Sequence, residues 1–295
     1  RVRATYEANH PHTDVHIGDI RDVSWTHHHG DADGVIGGPP CQSWSAAGAK
    51  RGIDDPRGKL FHEFIRAITE IRPRFFVAET VAGILSPRHA DALAAIVDRL
   101  SAPGYTVTYA LMDASEYGVP QTRKRVFLTG YRTDTRLGFD ATTVEKCTPR
   151  PTLRDAIGDL PADVPDSDYY TGGYSSQYLS RQRVRSWDEP SYTILASGRH
   201  APIHPACAPF IRVDREHWRF DPDTPVPYRR LSVRECARVQ TFPDSFRLVC
   251  DHLDDGYRMV GNAVPVELAR RLAVAVRQDL CLGRHRIVPA YQKVG

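Results

Sequence analysis

Cys41 is the most reactive group that the sequence offers, because of the turn that carries it. Residues 36–45 read Ile36-Gly37-Gly38-Pro39-Pro40-Cys41-Gln42-Ser43-Trp44-Ser45. An apolar run enters a Gly-Gly-Pro-Pro turn that cannot continue as helix or sheet, and the cysteine sits at its tip. A thiol is a nucleophile only as its thiolate, which needs exposure and a local field that favours charge. Without those it is a small buried apolar residue. Glu79 closes the apolar run Phe76-Val77-Ala78, where a carboxylate can hold or move a proton; an isolated glutamate there also serves as a helix cap or a surface ion pair. Arg123 and Arg125 alternate at the start of another run. They can hold an oxygen on which charge develops, or form a solvated face. His27, His28 and His29 are consecutive, and adjacent residues rarely point to one centre, so no metal is expected.

These groups need elements to position them. Residues 15–20, 34–37, 75–78, 106–112 and 126–130 read as strands. Residues 59–71 and 89–100 carry apolar residues at helical spacing between them. Alternating strands and helices imply an α/β fold with a doubly wound, mostly parallel sheet, whose ligands bind at the carboxyl ends of the strands. From about 149 to 228 the pattern breaks into a stretch rich in Pro, Gly, Ser, Tyr and Arg, with short strand-like pieces such as 191–196. Helical periodicity returns at 232–240 and 265–278. The expected organisation is a catalytic domain over 1–148, a smaller irregular domain over 149–228, and C-terminal helices over 229–295 that rejoin the first.

The bulk properties narrow the class. A chain of 295 residues with 41% hydrophobic and 25% charged residues is an ordinary globular composition. No apolar run approaches the roughly 18 residues of a membrane span, and no secretory signal opens the chain. The six cysteines, Cys41, Cys147, Cys207, Cys236, Cys250 and Cys281, lack Cys-x-x-Cys spacing. That argues against zinc or a disulfide framework and favours a reducing cytoplasm. A net charge of +3 does not by itself imply nucleic acid, but only five of the 39 basic residues are lysine. Arginine suits bidentate contacts to phosphate and guanine, although a GC-rich genome produces the same bias.

The segment around Cys41 resembles the Pro-Cys motif of the DNA cytosine-5 methyltransferases, and the resemblance continues in order along the chain. Phe76-Val77-Ala78-Glu79-Thr80-Val81 is similar to the family's Glu-Asn-Val strand end. Gln121-Thr122-Arg123-Lys124-Arg125 resembles its Gln-x-Arg-x-Arg motif. Residues 234–243 resemble its Arg-Glu-x-Ala-Arg-x-Gln-x-Phe-Pro helix, and Gly261-Asn262-Ala263-Val264-Pro265 its last motif. The resemblance implies a Rossmann-like methyltransferase domain with a target-recognition domain, acting on double-stranded DNA inside a restriction–modification system beside a cognate endonuclease. It implies a monomer that takes its methyl group from S-adenosylmethionine without a metal or a membrane. Cys41 would add to C6 of a flipped cytosine, Glu79 would serve N3, and Arg125 with Arg123 would hold O2 and the neighbouring backbone. Residues 43–57 would close over the DNA. Asp19 would meet the adenine amino group of the donor, with Ile20, Pro39, Asn262 and Val264 lining its pocket.

Sequence recognition falls to the irregular domain. Residues 51–61, with the arginine-bearing segments 180–187 and 196–200, resemble the members that methylate the inner cytosine of GGCC. Arg181, Arg183 and Arg199 are carried over as guanine readers. The chain also departs from the family. Thr80 stands where the pattern has asparagine. The Phe-x-Gly-x-Gly-Gly turn of the donor site has no match, and Arg1 leads straight into what reads as the end of a helix. A preceding N-terminal segment is therefore expected, without which donor binding should weaken and an apolar sheet edge should be exposed. The alternatives are a DNA-binding fragment completed by a separate N-terminal subunit and an RNA cytosine methyltransferase on the same fold.

Overall fold

The computed structural model describes residues 2–39, 58–283 and 291–293. The chain divides into two compact units, one made of Arg1–Val15, Ala114–Arg123 and Lys146–Arg270, the other of His16–Asp113, Lys124–Glu145 and Arg271–Gly295.

The second of these is built on a five-stranded sheet. Its strands are β1 (Gly34–Gly37), β2 (Phe75–Val81), β3 (Tyr105–Asp113), β4 (Lys124–Arg132) and β7 (Tyr291–Lys293), in the order β1-β2-β4-β3-β7. β1 pairs with β2 and β3 with β7 in parallel, whereas β4 runs antiparallel to both β2 and β3. The expected mostly parallel sheet thus becomes mixed at β4. Between β3 and β4 lies only one helical turn, Ala114–Glu116, and a parallel return needs a long crossover, usually a helix. Ile36 on β1, the outermost described strand, is 78% exposed.

Two amphipathic helices cover this sheet. α2 (Gly58–Ile71) buries Phe61, Phe64, Ile68 and Ile71, and α3 (Ala90–Ser101) buries Leu93, Ile96 and Leu100, both at spacings that keep one helical face inward. They pack on Phe76, Ala78, Tyr105, Val107, Val126 and Leu128 of the strands. Residues 15–20 do not form the expected strand. Ile17 is 55% exposed and Asp19 caps a single helical turn at Ile20–Asp22, so the apolar residues there meet no neighbouring strand.

The other unit contains α1 (Arg3–Asn9), α4 (Leu153–Ile157), α5 (Val233–Val239), α6 (Leu253–Asn262) and the two-residue strands β5 (Ile211–Arg212) and β6 (Trp218–Arg219). Side chains hold it together where ladders are scarce. One cluster gathers Leu153, Ile157, Ile194, Leu231, Val239, Tyr257 and Val260; a second gathers Tyr178, Val184, Ile203 and Phe210. The division into units keeps residues 229–270 here and passes to the sheet unit at Arg271, within α7 (Val266–Leu282). Two buried arginines hold the start of that stretch. Arg229 donates to Ala162 O at 3.0 and 2.8 Å, and Arg230 donates to the carbonyls of Tyr170, Gly172 and Gly173, so this segment is stitched to the irregular region before it.

Candidate active site

β2 alternates between two environments. Phe76, Ala78 and Thr80 are buried, which leaves Glu79 on the opposite face near the strand's end. Its carboxylate Oε1 lies 2.8 Å from Arg125 Nε on β4, and both side chains are about one-sixth exposed, at 17% and 16%. Arg125 also donates to Lys124 O at 2.8 Å, which fixes the guanidinium from its own strand. The parallel register sets Gly37 beside Ala78. The second carboxylate oxygen, Oε2, accordingly lies 3.7 Å from where a side chain at Gly38 would begin. Glu79 is therefore paired with Arg125 and faces the Gly-Gly-Pro turn, in which Pro39 is buried. Cys41 and the expected closing segment 43–57 lie outside the described residues.

Thr80 departs from the family's asparagine on the buried side of the same strand. It is 8% exposed, and its hydroxyl has no hydrogen-bond partner among the described residues. A buried unsatisfied hydroxyl costs free energy, so Thr80→Val should leave the urea-unfolding stability unchanged or raise it by up to about 1 kcal/mol. A loss of more than that would mean that the hydroxyl is engaged.

Arg123, expected at the base, is 2% exposed and belongs to the other unit. It donates to the carbonyls of Ile194 at 2.9 Å, Gly261 at 3.0 Å and Ala263 at 3.2 Å. Its guanidinium is thus committed to backbone. Gln121, fully buried, extends the brace. It donates to Gln240 Oε1 at 2.7 Å and accepts from Ile194 N at 2.8 Å, while Gln240 donates to Val260 O at 2.7 Å. Three of the segments picked out by resemblance meet here through two amides and a guanidinium, a convergence that sequence spacing does not display. Gly261 is the last-but-one residue of α6. A side chain there would fall 2.3–2.4 Å from the backbone of Leu195 and Ala196, so only glycine permits the approach. Asn262 beyond it is exposed and Val264 half-buried.

Asp19 accepts from its own turn at Arg21 N, 3.0 Å away, and pairs with the Arg21 guanidinium through both oxygens. The Arg21 side chain beside it holds its carboxyl well below the usual carboxylate range. The side chains are open: that of Asp19 is 37% exposed, as is Ile20. An ionised carboxylate beside an accessible apolar residue fits an adenosyl group, with the carboxylate accepting from an amine and Ile20 covering the ring. Asp19, Ile20 and Pro39 belong to the sheet unit; Asn262 and Val264 belong to the other.

The arginines at 181–185 and 199 are not equivalent. Arg185 is committed to Glu189 at 2.7 Å and lies 4.3 Å from the Tyr192 ring centroid. Arg181 and Arg199 are exposed. Arg183 is half-buried, its Nε donating to Tyr178 O at 3.1 Å and its guanidinium carbon 4.7 Å from the Tyr178 ring centroid. Tyr178 and Arg230 were not legible as site residues; the one available signal was the density of tyrosines between 169 and 178. Among the described residues no group of three or more His, Cys, Asp or Glu side chains is placed to hold a metal ion, and no helix is long and apolar enough to cross a membrane.

The fold has counterparts among solved structures. An Entamoeba histolytica methyltransferase, EhMeth, matches 94% of this chain and 87% of its own with a TM-score of 0.69 at 16% identity. A Spodoptera frugiperda DNMT2 mutant matches 93% and 88% with a TM-score of 0.64 at 17% identity. The fold is that of the Rossmann-like S-adenosylmethionine-dependent methyltransferases. Sequence comparison is more specific. The profile of the C-5 cytosine-specific DNA methylases matches residues 1–278. The type II methyltransferase M.MthTI of Methanothermobacter thermautotrophicus is 50% identical over 270 residues, covering 85% of this chain and 80% of its own. M.NgoPII of Neisseria gonorrhoeae, also a type II methyltransferase, is 42% identical over 296 residues, covering 95% and 86%. The chain belongs to the C-5 cytosine-specific DNA methylases and is a DNA (cytosine-5-)-methyltransferase.

Proposed function

We propose that this enzyme methylates C5 of the inner cytosine of GGCC in duplex DNA, as the modification member of a type II restriction–modification system. The observation that carries the chemistry is the Glu79 carboxylate, held 2.8 Å from Arg125 Nε at the end of β2. Its other oxygen faces Gly38, in the turn that leads to Cys41. C5 of cytosine is a poor nucleophile, and a base in a duplex cannot reach a cleft, so the cytosine is flipped out first. The Cys41 thiolate then bonds to C6. The C5–C6 double bond opens, and the charge that develops on N3 and O2 is met by Glu79 and Arg125. Arg123, two residues before Arg125, is held on the carbonyls of Ile194, Gly261 and Ala263. S-adenosylmethionine supplies an electrophilic methyl group, and in the sheet unit Asp19, Ile20 and Pro39 would hold it. Loss of the C5 proton to a base or to ordered water restores the double bond as the C6–S bond breaks and the thiolate returns.

Arg181, Arg183 and Arg199 read guanine through O6 and N7. What supports this is contrast among the arginines: Arg185 is tied to Glu189 and Tyr192, whereas Arg181 and Arg199 are exposed. Two relatives named as type II methyltransferases, at 50% and 42% identity, support the biological setting.

The test is a duplex with one GGCC site bearing 5-fluorocytosine at the target. C5 then carries fluorine where the removable proton would be, so methyl transfer leaves the cysteine attached. A denaturation-resistant adduct that requires S-adenosylmethionine and GGCC, and disappears in Cys41→Ser, is the expected result. An adduct persisting in Cys41→Ser would remove the nucleophile from this reading, and one formed equally without GGCC would remove the recognition sequence.

A further inference from the structure

Tyr178 lies 1% exposed in the recognition region, and three separate interactions converge on it. Its hydroxyl donates to Ala201 O at 2.7 Å, which anchors the ring to the chain just past the turn that carries Arg199. Its backbone carbonyl accepts from Arg183 Nε at 3.1 Å. Its ring lies 4.7 Å from the guanidinium carbon of Arg183 and 5.0 Å from that of Arg230. Arg230 is itself 1% exposed, lies 4.0 Å from the Tyr174 ring and 4.9 Å from the Tyr170 ring, and donates to three carbonyls at 170–173. The platform under Tyr178 is therefore fixed before any DNA arrives.

We propose that Tyr178 is a positioning residue for sequence recognition: its ring and carbonyl hold Arg183 by one edge and aim the two terminal nitrogens at a base. This rests on the reading of Arg183 as a guanine reader. The chemistry favours it. Nε–H is already spent on the Tyr178 carbonyl, and among the described residues the terminal nitrogens meet no hydrogen-bond partner. An end-on pair of N–H groups is what guanine O6 and N7 accept. A long arginine side chain loses rotamer freedom on binding, and a ring beneath the guanidinium removes most of that freedom in advance. The correct base is then met by a preformed donor pair, while a wrong base faces the same rigid pair without acceptors.

The experiment uses the full chain, S-adenosylmethionine and a duplex library randomised around one cytosine, with methylated sites read by bisulfite sequencing. Wild type defines the preferred site whatever it is. Arg183→Ala defines the position that Arg183 reads, with an expected loss of preference there of roughly 5- to 100-fold. Tyr178→Leu should lose preference at that same position, within the same range, while positions lost in Arg199→Ala keep theirs. Tyr178→Phe keeps the ring and should restore the preference to within about 2- to 10-fold of wild type, the worth of one lost hydroxyl bond. A merely structural role would lower methylation of all sites in parallel and leave the preferences unchanged, which overturns the proposal. Equal loss in Tyr178→Phe and Tyr178→Leu overturns it also, because the ring would then do nothing. If Arg183→Ala leaves every preference intact, the guanine-reading role fails and takes this proposal with it. If Arg183→Ala broadens the site and Tyr178→Leu does not, only the positioning role fails. Should Tyr178→Leu not fold, an unaltered preference in Tyr178→Trp, whose ring cannot keep the Arg183 geometry, overturns the proposal, and a loss confined to the Arg183 position supports it.

Discussion

Glu79→Gln should lower the single-turnover rate of methylation by about 10²- to 10⁴-fold, the usual worth of a positioned proton donor or acceptor, while leaving duplex binding close to wild type. The substitution isolates the proton from the shape. Glutamine has nearly the volume of glutamate, and its amide oxygen can still accept from Arg125 Nε, which now lies 2.8 Å from Oε1. What it cannot do is deliver a proton to a ring nitrogen or balance the guanidinium charge. Arg125→Met should be damaging from the other side, by removing the cation proposed to meet O2 and leaving the carboxylate without its partner. Rapid-quench methylation and gel-shift binding on the same duplex separate the two steps. A Glu79→Gln rate within threefold of wild type would show that N3 is served by another group.

The largest stability effect is expected far from the chemistry, at Glu235. This carboxylate is 1% exposed and receives Arg229 through both oxygens at 2.8 Å, with the backbone N–H of Ser232 at 2.7 Å and His204 at 3.5 Å. Arg229 is only 7% exposed, so Glu235→Ala strands a buried cation and uncaps α5 together. A cost of about 3–5 kcal/mol in urea unfolding follows. A cost below about 1 kcal/mol would mean that water reaches Arg229.

The same cluster gives a pH dependence with a definite sign. Burial, and then the Arg229 charge, push His204 down to about 4 against the weaker upward pull of Glu235. The folded protein keeps this ring neutral over a range in which the unfolded chain, with a histidine near 6.5, takes up a proton. Stability is therefore full above pH 6.5 and falls as pH drops towards 4, by about 2 kcal/mol between pH 7 and 5. Glu235 acts below that window. Burial alone would raise its carboxyl, but Arg229 and the Ser232 N–H outweigh burial and hold it low. Its contribution is thus complete above the unfolded value near 4.3 and is lost only as pH falls through the lower folded value. Urea midpoints at pH 7 and 5 test this, and the difference should shrink in His204→Gln; part of what remains comes from His200, which burial and its neighbouring arginines also push down.

The parts of this molecule that were legible in the sequence are those with local causes. The faces of α2 and α3 repeat at helical spacing, and β2 alternates so that Glu79 departs from the side that holds Phe76 and Ala78. The antiparallel direction of β4 was not legible, because apolar runs carry no arrow; the clue was the absence of helical spacing between 113 and 124. Arg123 read as a companion of Arg125 because the two alternate, yet one is buried on carbonyls and the other meets a carboxylate. The tyrosines at 170, 174 and 178 looked like loop composition. What made them a platform is Arg230, which lies 52 to 60 residues further along the chain. No short-range pattern contains such a pairing.

The two arginines at 229 and 230 bear on how recognition regions can be exchanged between relatives. A transplant cut at 149 and 228 looks like a clean module, since its ends coincide with the change in composition. Such a cut would separate Arg229 from Ala162, Arg230 from the carbonyls at 170, 172 and 173, and Thr122 from Ser191. The incoming piece would have to accept its host's buried arginines at every one of those carbonyls. If this region reads the DNA sequence as proposed, chimaeras should keep their specificity only when the donor's residues 229–231 travel with the segment they fasten.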